Sequence, residues 1–373
     1  MKQSHSQPEP GVLVLADGTV FEGVSVGPLG HVCGEVVFNT AQTGYQEIMT
    51  DPSYAEQLIV FTQPHIGNVG VNTVDMESDR VFAKGAIMRS FSQVASNWRS
   101  ETTLTDFFET HQVIAVSDID TRALTHHLRE HGSQAGCLMT GDIDVSHALQ
   151  QAKQFNGLEG RDLAKTVTTD KPYIFSQSSA KGFHLVVYDF GVKRSILTCL
   201  ANLGCHVTVV PAETSAQAVL ALNPDGVVLS NGPGDPAACT YAISAIKTLL
   251  QQAIPMMAIC LGHQLLALAS GASTKKMKFG HHGANHPVQT LQNKMVAISS
   301  QNHGFVVDQE NLPTCLEITH HSLFDGSIAG IKRKDVPAFG FQGHPEAGPG
   351  PTELTDLFVQ FIALLEVSHA KAN

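Results

Sequence analysis

Apolar positions along this chain fall into two textures. From Gly11 to about Leu149, short runs such as Val12-Leu-Val-Leu15, Glu35-Val-Val-Phe38 and Val113-Ile-Ala-Val116 are separated by turns containing Gly and Pro, which predicts strands. Thr121 to His131 reads as a helix. Between about Gln150 and Gly182 the periodicity fades into polar segments, Thr166-Val-Thr-Thr-Asp-Lys-Pro172 and Ser176-Gln-Ser-Ser-Ala180, as expected of a linker. From His184 onward, strands and helices alternate. Strands are predicted over Leu185–Tyr188, Val207–Val210 and Gly226–Leu229, and helices over Val192–Leu203 and Ser215–Leu222. The expected organisation is a smaller mixed α/β domain over residues 1–150, a linker over 151–183, and an α/β domain over 184–373. The last is expected to be an open, mostly parallel sheet with helices on both faces. Such sheets bind ligands beyond the carboxyl ends of their strands.

Composition narrows the class. With 373 residues, 43% of them hydrophobic, the chain can bury a core large enough for two domains. A formal net charge of -11 argues against nucleic acid or an anionic membrane as the main partner, since both select basic surfaces. The first ten residues lack an apolar signal core, and no apolar run approaches the roughly 20 residues that span a bilayer, so a cytoplasmic location is expected. Seven cysteines without a C-x-x-C pair suggest neither a disulfide framework nor a thiolate metal site, and their odd number fits a reducing compartment. Among 19 histidines, the pairs His126-His127, His281-His282 and His320-His321 invite a metal reading. Adjacent histidines point in different directions on a helix or a strand, so no metal site is expected.

Three segments carry candidate chemistry. In Pro255-Met-Met-Ala-Ile-Cys260-Leu-Gly-His-Gln264 an apolar strand turns abruptly into a helix, placing a thiol at the elbow. Gly262 allows close backbone approach, and the positive end of the helix favours a thiolate. In Gly340-Phe-Gln-Gly-His344-Pro-Glu346 an imidazole and a carboxylate share one side of an extended segment. Cys, His and Glu supply a nucleophile, a base and a group to orient the base. The third segment, Ser230-Asn-Gly-Pro-Gly-Asp-Pro236, formally fits a dinucleotide-binding fingerprint. Pro233 and Pro236 remove amides from the turn, however, and no carboxylate lies near the ribose-binding distance. The rigid loop is better placed to aim the Gly232 N–H, together with that of Leu261, at an oxyanion.

In order, these three segments resemble the signature of class I, triad-type glutamine amidotransferases. The chain as a whole resembles the small, glutamine-hydrolysing subunits of carbamoyl-phosphate synthetases. The narrower likeness rests on Phe38-Asn-Thr-Ala-Gln-Thr-Gly-Tyr-Gln-Glu47, Thr50-Asp-Pro-Ser-Tyr54, Pro64-His-Ile-Gly-Asn-Val-Gly70 and Asp118-Ile-Asp-Thr-Arg122. The resemblance implies Cys260 as nucleophile, His344 as base and acid, and Glu346 as orienter. It implies glutamine-binding positions at Ser53, Gly232, Gly234, Leu261, Gln264, Asn302, Gly304 and Phe305. By themselves the last three, in Ser300-Gln-Asn-His-Gly-Phe305, read as a polar hairpin turn. Two departures from the family pattern are Ala258 and Ala284, each where glycine is usual.

The resemblance also implies a partner. No Walker-type ATP motif occurs in this chain. ATP and magnesium are therefore expected on a large synthetase subunit, which receives ammonia through a channel and makes carbamoyl phosphate from bicarbonate for arginine and pyrimidine biosynthesis. No cofactor is expected in this chain. Alternatives are a stand-alone hydrolase of γ-glutamyl amides, an amidotransferase serving another acceptor, and a scaffold with an inactive triad. Residues Gly11 to about Leu149 are expected to dock the large subunit, and a fragment beginning near Lys181 is expected to fold alone.

Overall fold

The computed structural model describes residues 9–177 and 182–372; residues 178–181 of the expected linker, Lys181 among them, lie outside the described residues. Two compact units emerge: Met1–Thr50 with Glu56–Leu158, and Asp51–Ala55 with Glu159–Asn373.

The first unit holds strands β1 (Pro10–Leu15), β2 (Val20–Ser25), β3 (Gly30–Asn39), β4 (Gln57–Phe61), β5 (His65–Ile66), β6 (Gly85–Ile87), β7 (Ser90–Phe91), β8 (Ile114–Ser117) and β9 (Gln134–Thr140). Seven of them close into a barrel in the order β1-β2-β8-β6-β4-β3-β9, while β5 and β7 pair separately. Its helices are α1 (Tyr45–Thr50), α2 (Leu104–His111), α3 (Thr121–His131) and α4 (Val145–Gln154). Alternation along β1 explains both faces. Leu13 and Leu15 lie beside Gly136, inside the barrel, where a side chain at that glycine would collide with Val36 and crowd Leu13. Val12 and Val14, joined by Cys137 and Met139, pack instead under Ala148 and Ala152 of α4. The sequence predicts β1, β3 and β8 and helix α3, whose ends are set by Asp120 accepting from the Ala123 N–H and by Gly132. Closure is a new finding. It depends on pairing β1 with β9 and on the parallel pairs β3-β4, β4-β6 and β6-β8, which join residues distant in sequence.

The second unit adds β10 (Tyr173–Ser176), β11 (His184–Asp189), β12 (His206–Pro211), β13 (Gly226–Leu229), β14 (Met256–Ile259), β15 (Thr274–Thr290), β16 (Val296–Val307), β17 (Leu316–Ser322), β18 (Ile328–Arg333) and β19 (Ala338–Phe341). Its helices are α5 (Ala164–Val167), α6 (Arg194–Asn202), α7 (Ala216–Ala221), α8 (Thr240–Gln251), α9 (Leu261–Ala269) and α10 (Asp356–Ala372). One ten-stranded sheet runs β10-β12-β11-β13-β14-β19-β18-β17-β15-β16. Strands β12, β11, β13, β14 and β19 are parallel. One face is covered by apolar residues of α7, α8 and α9, the other by Ile196, Leu197 and Leu200 of α6 and Phe358, Phe361 and Leu365 of α10. This is the α/β architecture with helices on both faces that alternation predicts. The other end of the sheet, β18-β17-β15-β16, is antiparallel.

Three local readings change. The stretch read as linker contains α5 and β10, and β10 pairs antiparallel with β12. Leu163 and Ala164 from the same stretch are buried. Ser300–Phe305 is part of strand β16, not a hairpin turn. Asn302, His303 and the Gln301 Nε2 are buried and hydrogen-bonded there, as strand burial requires. A fragment beginning near Lys181 also leaves out more of this unit than the sequence reading assumed. Such a fragment loses β10, the buried Leu163 and Ala164, and the Asp51–Ala55 loop that belongs to the same compact unit.

Candidate active site

Cys260 stands between β14 and α9 with φ 53° and ψ -106°, an unfavourable conformation for a side-chain-bearing residue. Sharp turns of this kind lift a nucleophile off the end of a strand. Its backbone is held on both sides, the Cys260 N–H donating to Phe341 O at 2.9 Å and the Gly262 N–H to Ser230 O at 3.0 Å. Gly262 has to be glycine, because a Cβ there would stand 2.2 Å from Leu229 O. Ala258, one departure from the family pattern, is buried in β14, its methyl part of the apolar core.

Each of the three motifs begins at the carboxyl end of a parallel strand, and these strands are neighbours: β13 carries the Ser230 loop, β14 carries Cys260, and β19 leads to His344. The paired residues Ile259 and Phe341 set the register that brings Cys260 and His344 to the same edge. His344 Nδ1 is 2.6 Å from Glu346 Oε1. Its Nε2 is buried and has no hydrogen-bond partner among the described residues. The Cys260 Sγ donates to Asn302 O at 3.4 Å and receives the Gln342 Nε2–H at 3.9 Å. Burial works against charge on His344, but Glu346 outweighs it and Cys260 adds to the effect, so the imidazole is raised to about 10. Burial likewise opposes ionisation of Glu346, yet Lys193 and His344 hold it down at about 2. The pair is therefore charged at neutral pH.

Lys193 was not among the sequence-based candidates. Only 2% of its side chain is exposed, and its Nζ donates to Glu346 Oε1 at 2.9 Å and to Ala347 O at 2.7 Å. Lysine is among the residues least often buried without a partner, so the position is bound up with the carboxylate it meets. Its one sequence signal is location: it lies just past the carboxyl end of β11, the strand next to β13.

The remaining candidates are in the same unit. Ser53 Oγ accepts from Asn231 Nδ2 at 2.8 Å, and that amide also reaches Asp51 Oδ1 at 3.2 Å. Asp51 in turn takes a hydrogen bond from Asn302 Nδ2 at 3.0 Å, and Asn302 Oδ1 is 2.8 Å from His282 Nδ1. Gln264 Nε2 donates to Phe305 O at 2.7 Å and to Gln342 Oε1 at 3.1 Å. Asp51, Asn231 and Gln342 are thus linking residues that motif reading missed, although Asp51 precedes a proline at the start of a short turn, a capping signal. Gly234 has φ 90°, suited to glycine. Gly232 is crowded, since a Cβ there would lie 2.1 Å from Phe190 O. Among the described residues neither the Gly232 nor the Leu261 N–H donates a hydrogen bond. At Gly304 the opposite holds: a Cβ would meet nothing within 4 Å, which marks open space at that position. No group of three or more His, Cys, Asp or Glu among the described residues is arranged to hold a metal ion.

Known proteins supply an independent view. The model for glutamine amidotransferase class-I matches residues 186–364, and the model for the carbamoyl-phosphate synthase small chain, CPSase domain, matches residues 13–138. The carbamoyl phosphate synthase small chain of Photorhabdus laumondii is 57% identical over 97% of this chain and 97% of its own length. The chain belongs to the carbamoyl phosphate synthase small chain family. Members from Pasteurella multocida (56% identical, covering 95% of each chain) and Escherichia coli O6:H1 (55%, covering 95% of this chain and 97% of the relative) agree. In this small-chain family member, the amidotransferase match spans all three motif segments, and the CPSase-domain match falls on the barrel unit.

Proposed function

We propose that this chain hydrolyses glutamine to glutamate and ammonia with a Cys260–His344–Glu346 triad, and passes the ammonia to a large ATP-dependent subunit that makes carbamoyl phosphate. The observation that carries the reading is the strained Cys260 elbow on the strand next to the one leading to His344, whose buried Nε2 has no partner and whose Nδ1 is tied to Glu346. With its proton carried by His344, the Cys260 sulfur attacks the γ-carboxamide carbon as a thiolate. The oxyanion meets the Gly232 and Leu261 N–H groups, and glutamine is held by Ser53, Gly234, Gln264, Asn302, Gly304 and Phe305. An imidazole raised to about 10 enters the reaction already protonated, so His344 has the proton with which the nitrogen leaves as ammonia. The product of this step is a γ-glutamyl thioester on Cys260. Acylation removes the thiol's share in holding that imidazole charged, and His344, now neutral, deprotonates the water that releases glutamate.

ATP and magnesium belong to the large subunit in this reading, and the chain itself uses no cofactor. The protein is cytoplasmic in this reading; no helix among the described residues is long and apolar enough to cross a membrane. The match of the barrel unit to the small-chain CPSase domain favours a synthetase partner over a free amide hydrolase. The test is Cys260→Ser in the assembled complex. Carbamoyl phosphate synthesis from glutamine should be abolished, while synthesis from added ammonia persists. Glutamine-dependent turnover above a few per cent of the parent's would overturn the triad.

A further inference from the structure

We propose that Cys33 and Cys137 are a redox-modification site in the barrel unit, closing a reversible cross-strand disulfide when the protein meets a hydroperoxide. The two cysteines are distant in sequence but stand directly opposite each other in the antiparallel β3-β9 pair. Opposed residues in such a pair have Cα atoms about 4.5 or 5.5 Å apart and side chains on one face. Both spacings fall within the roughly 4.4–6.8 Å that a disulfide spans. Both thiols are free. They face α4, in the apolar cluster that includes Ala148 and Ala152. Cys137 is fully buried, whereas Cys33 is partly exposed and reachable by a small oxidant.

The pair is also electronically unequal. A hydrogen bond from the Cys137 thiol holds Cys33 below the ordinary thiol range against the opposing effect of burial. Cys137 is pushed far up, first by Cys33 and then by burial. Such an arrangement separates an attacking sulfur from a resolving one. Cys33 thiolate attacks one peroxide oxygen, the O–O bond breaks, and hydroxide leaves to become water, giving a sulfenic acid on Cys33. The Cys137 sulfur then attacks the Cys33 sulfur, the S–O bond breaks, and the departing hydroxide takes the Cys137 proton as a second water. Two thiols lose two electrons, and these reduce the peroxide. Thiol exchange with a reduced dithiol reverses the step. A sulfur of this kind is invisible to motif spacing, because only the register of the sheet brings the partners together.

The experiment treats the folded full-length chain with hydrogen peroxide, blocks remaining thiols with an alkylating reagent, and maps digests by mass spectrometry. A peptide cross-linked through Cys33 and Cys137, dissolved by dithiothreitol, is the expected result. In Cys137→Ser, which keeps a hydrogen-bond donor beside Cys33 but no resolving sulfur, and with folding verified by circular dichroism, Cys33 should pass to sulfinic acid. The proposal is overturned if both cysteines remain separately alkylated, if the cross-link forms only after urea unfolding, or if Cys33 of the variant stays reduced.

Discussion

Substituting Gly232 by alanine isolates the oxyanion role from simple packing. A Cβ at this position would sit 2.1 Å from Phe190 O and 2.8 Å from its carbonyl carbon, both backbone atoms that cannot swing aside. Ordinary carbon contacts lie near 3.5 Å or beyond, so the loop has to retreat by roughly 1 Å. That displacement takes the Gly232 N–H out of range of a developing oxyanion. Loss of one such donor typically lowers kcat by about 10²–10³, or about 2.7–4 kcal/mol. The strain also costs about 1–3 kcal/mol of stability, as overpacking in a tight interior does. The assay is glutamine-dependent turnover by the assembled complex, with kcat and KM measured separately and thermal unfolding recorded for the same variant. Gly304→Ala is the comparison, because its Cβ enters open space. It should leave Tm unchanged and raise KM more than it lowers kcat. A Gly232→Ala protein with reduced Tm but parental kcat would refute the donor assignment and leave the loop a structural turn.

Lys193→Met should destabilise the chain by about 3–5 kcal/mol in urea titrations, since it leaves the fully buried Glu346 carboxylate short of a partner; a loss below about 1 kcal/mol would show that the pair is dispensable. The charged pair also shapes stability against pH. Glu346, held at about 2 against an ordinary 4.5, stabilises above pH 4.5, and this support fades as pH falls toward 2. His344, raised to about 10 from 6.5, stabilises below pH 6.5, and its support is lost as pH rises through 10. Urea midpoints should therefore hold a plateau at mildly acidic pH, and His344→Gln should flatten the alkaline arm; an unchanged alkaline arm would count against the raised imidazole. Finally, a fragment beginning near Lys181 should unfold at lower temperature than the parent and react poorly with a glutamine-like chloroketone; parental values of both would show that β10 and the Asp51–Ala55 loop are dispensable.

Much of the reactive edge was legible because its parts obey local rules. A β-strand that runs into a glycine-containing helix start makes an elbow, and His344 with Glu346 at i and i+2 faces one way on extended chain. Lys193 was not legible, because nothing local distinguishes a buried lysine from an exposed one; its burial follows from β11 lying next to β13 in the sheet. Barrel closure escaped for a related reason. Val12-Leu-Val-Leu15 announces a strand, but its partner β9 is chosen by side-chain fit, with Gly136 admitting Leu13 and Leu15. The antiparallel end of the large sheet escaped because β15 and β16 are interrupted by polar, histidine-rich segments with register shifts, which disguise a strand as a turn.

The Asp51–Ala55 loop shows why domain boundaries read along the chain are coarser than those read in space. In sequence it lies deep within the first texture, between α1 and β4, yet it belongs to the second compact unit. Asp51 is the reason it is held there. One oxygen receives both the Ser53 N–H and the Asn231 amide, and the other receives the Asn302 amide. A single carboxylate thus ties together the loop after β13, the polar stretch of β16 and Ser53 itself. Because Asp51 is only 4% exposed, water cannot replace those bonds. Deleting the carboxylate would remove a hydrogen bond from each of Ser53, Asn231 and Asn302 at once, whereas deleting the Ser53 hydroxyl would free one amide hydrogen. On the proposed reading, the chain supplies glutamine-binding residues from either side of the first unit's Glu56–Leu158 segment, and Asp51 is the group that links them.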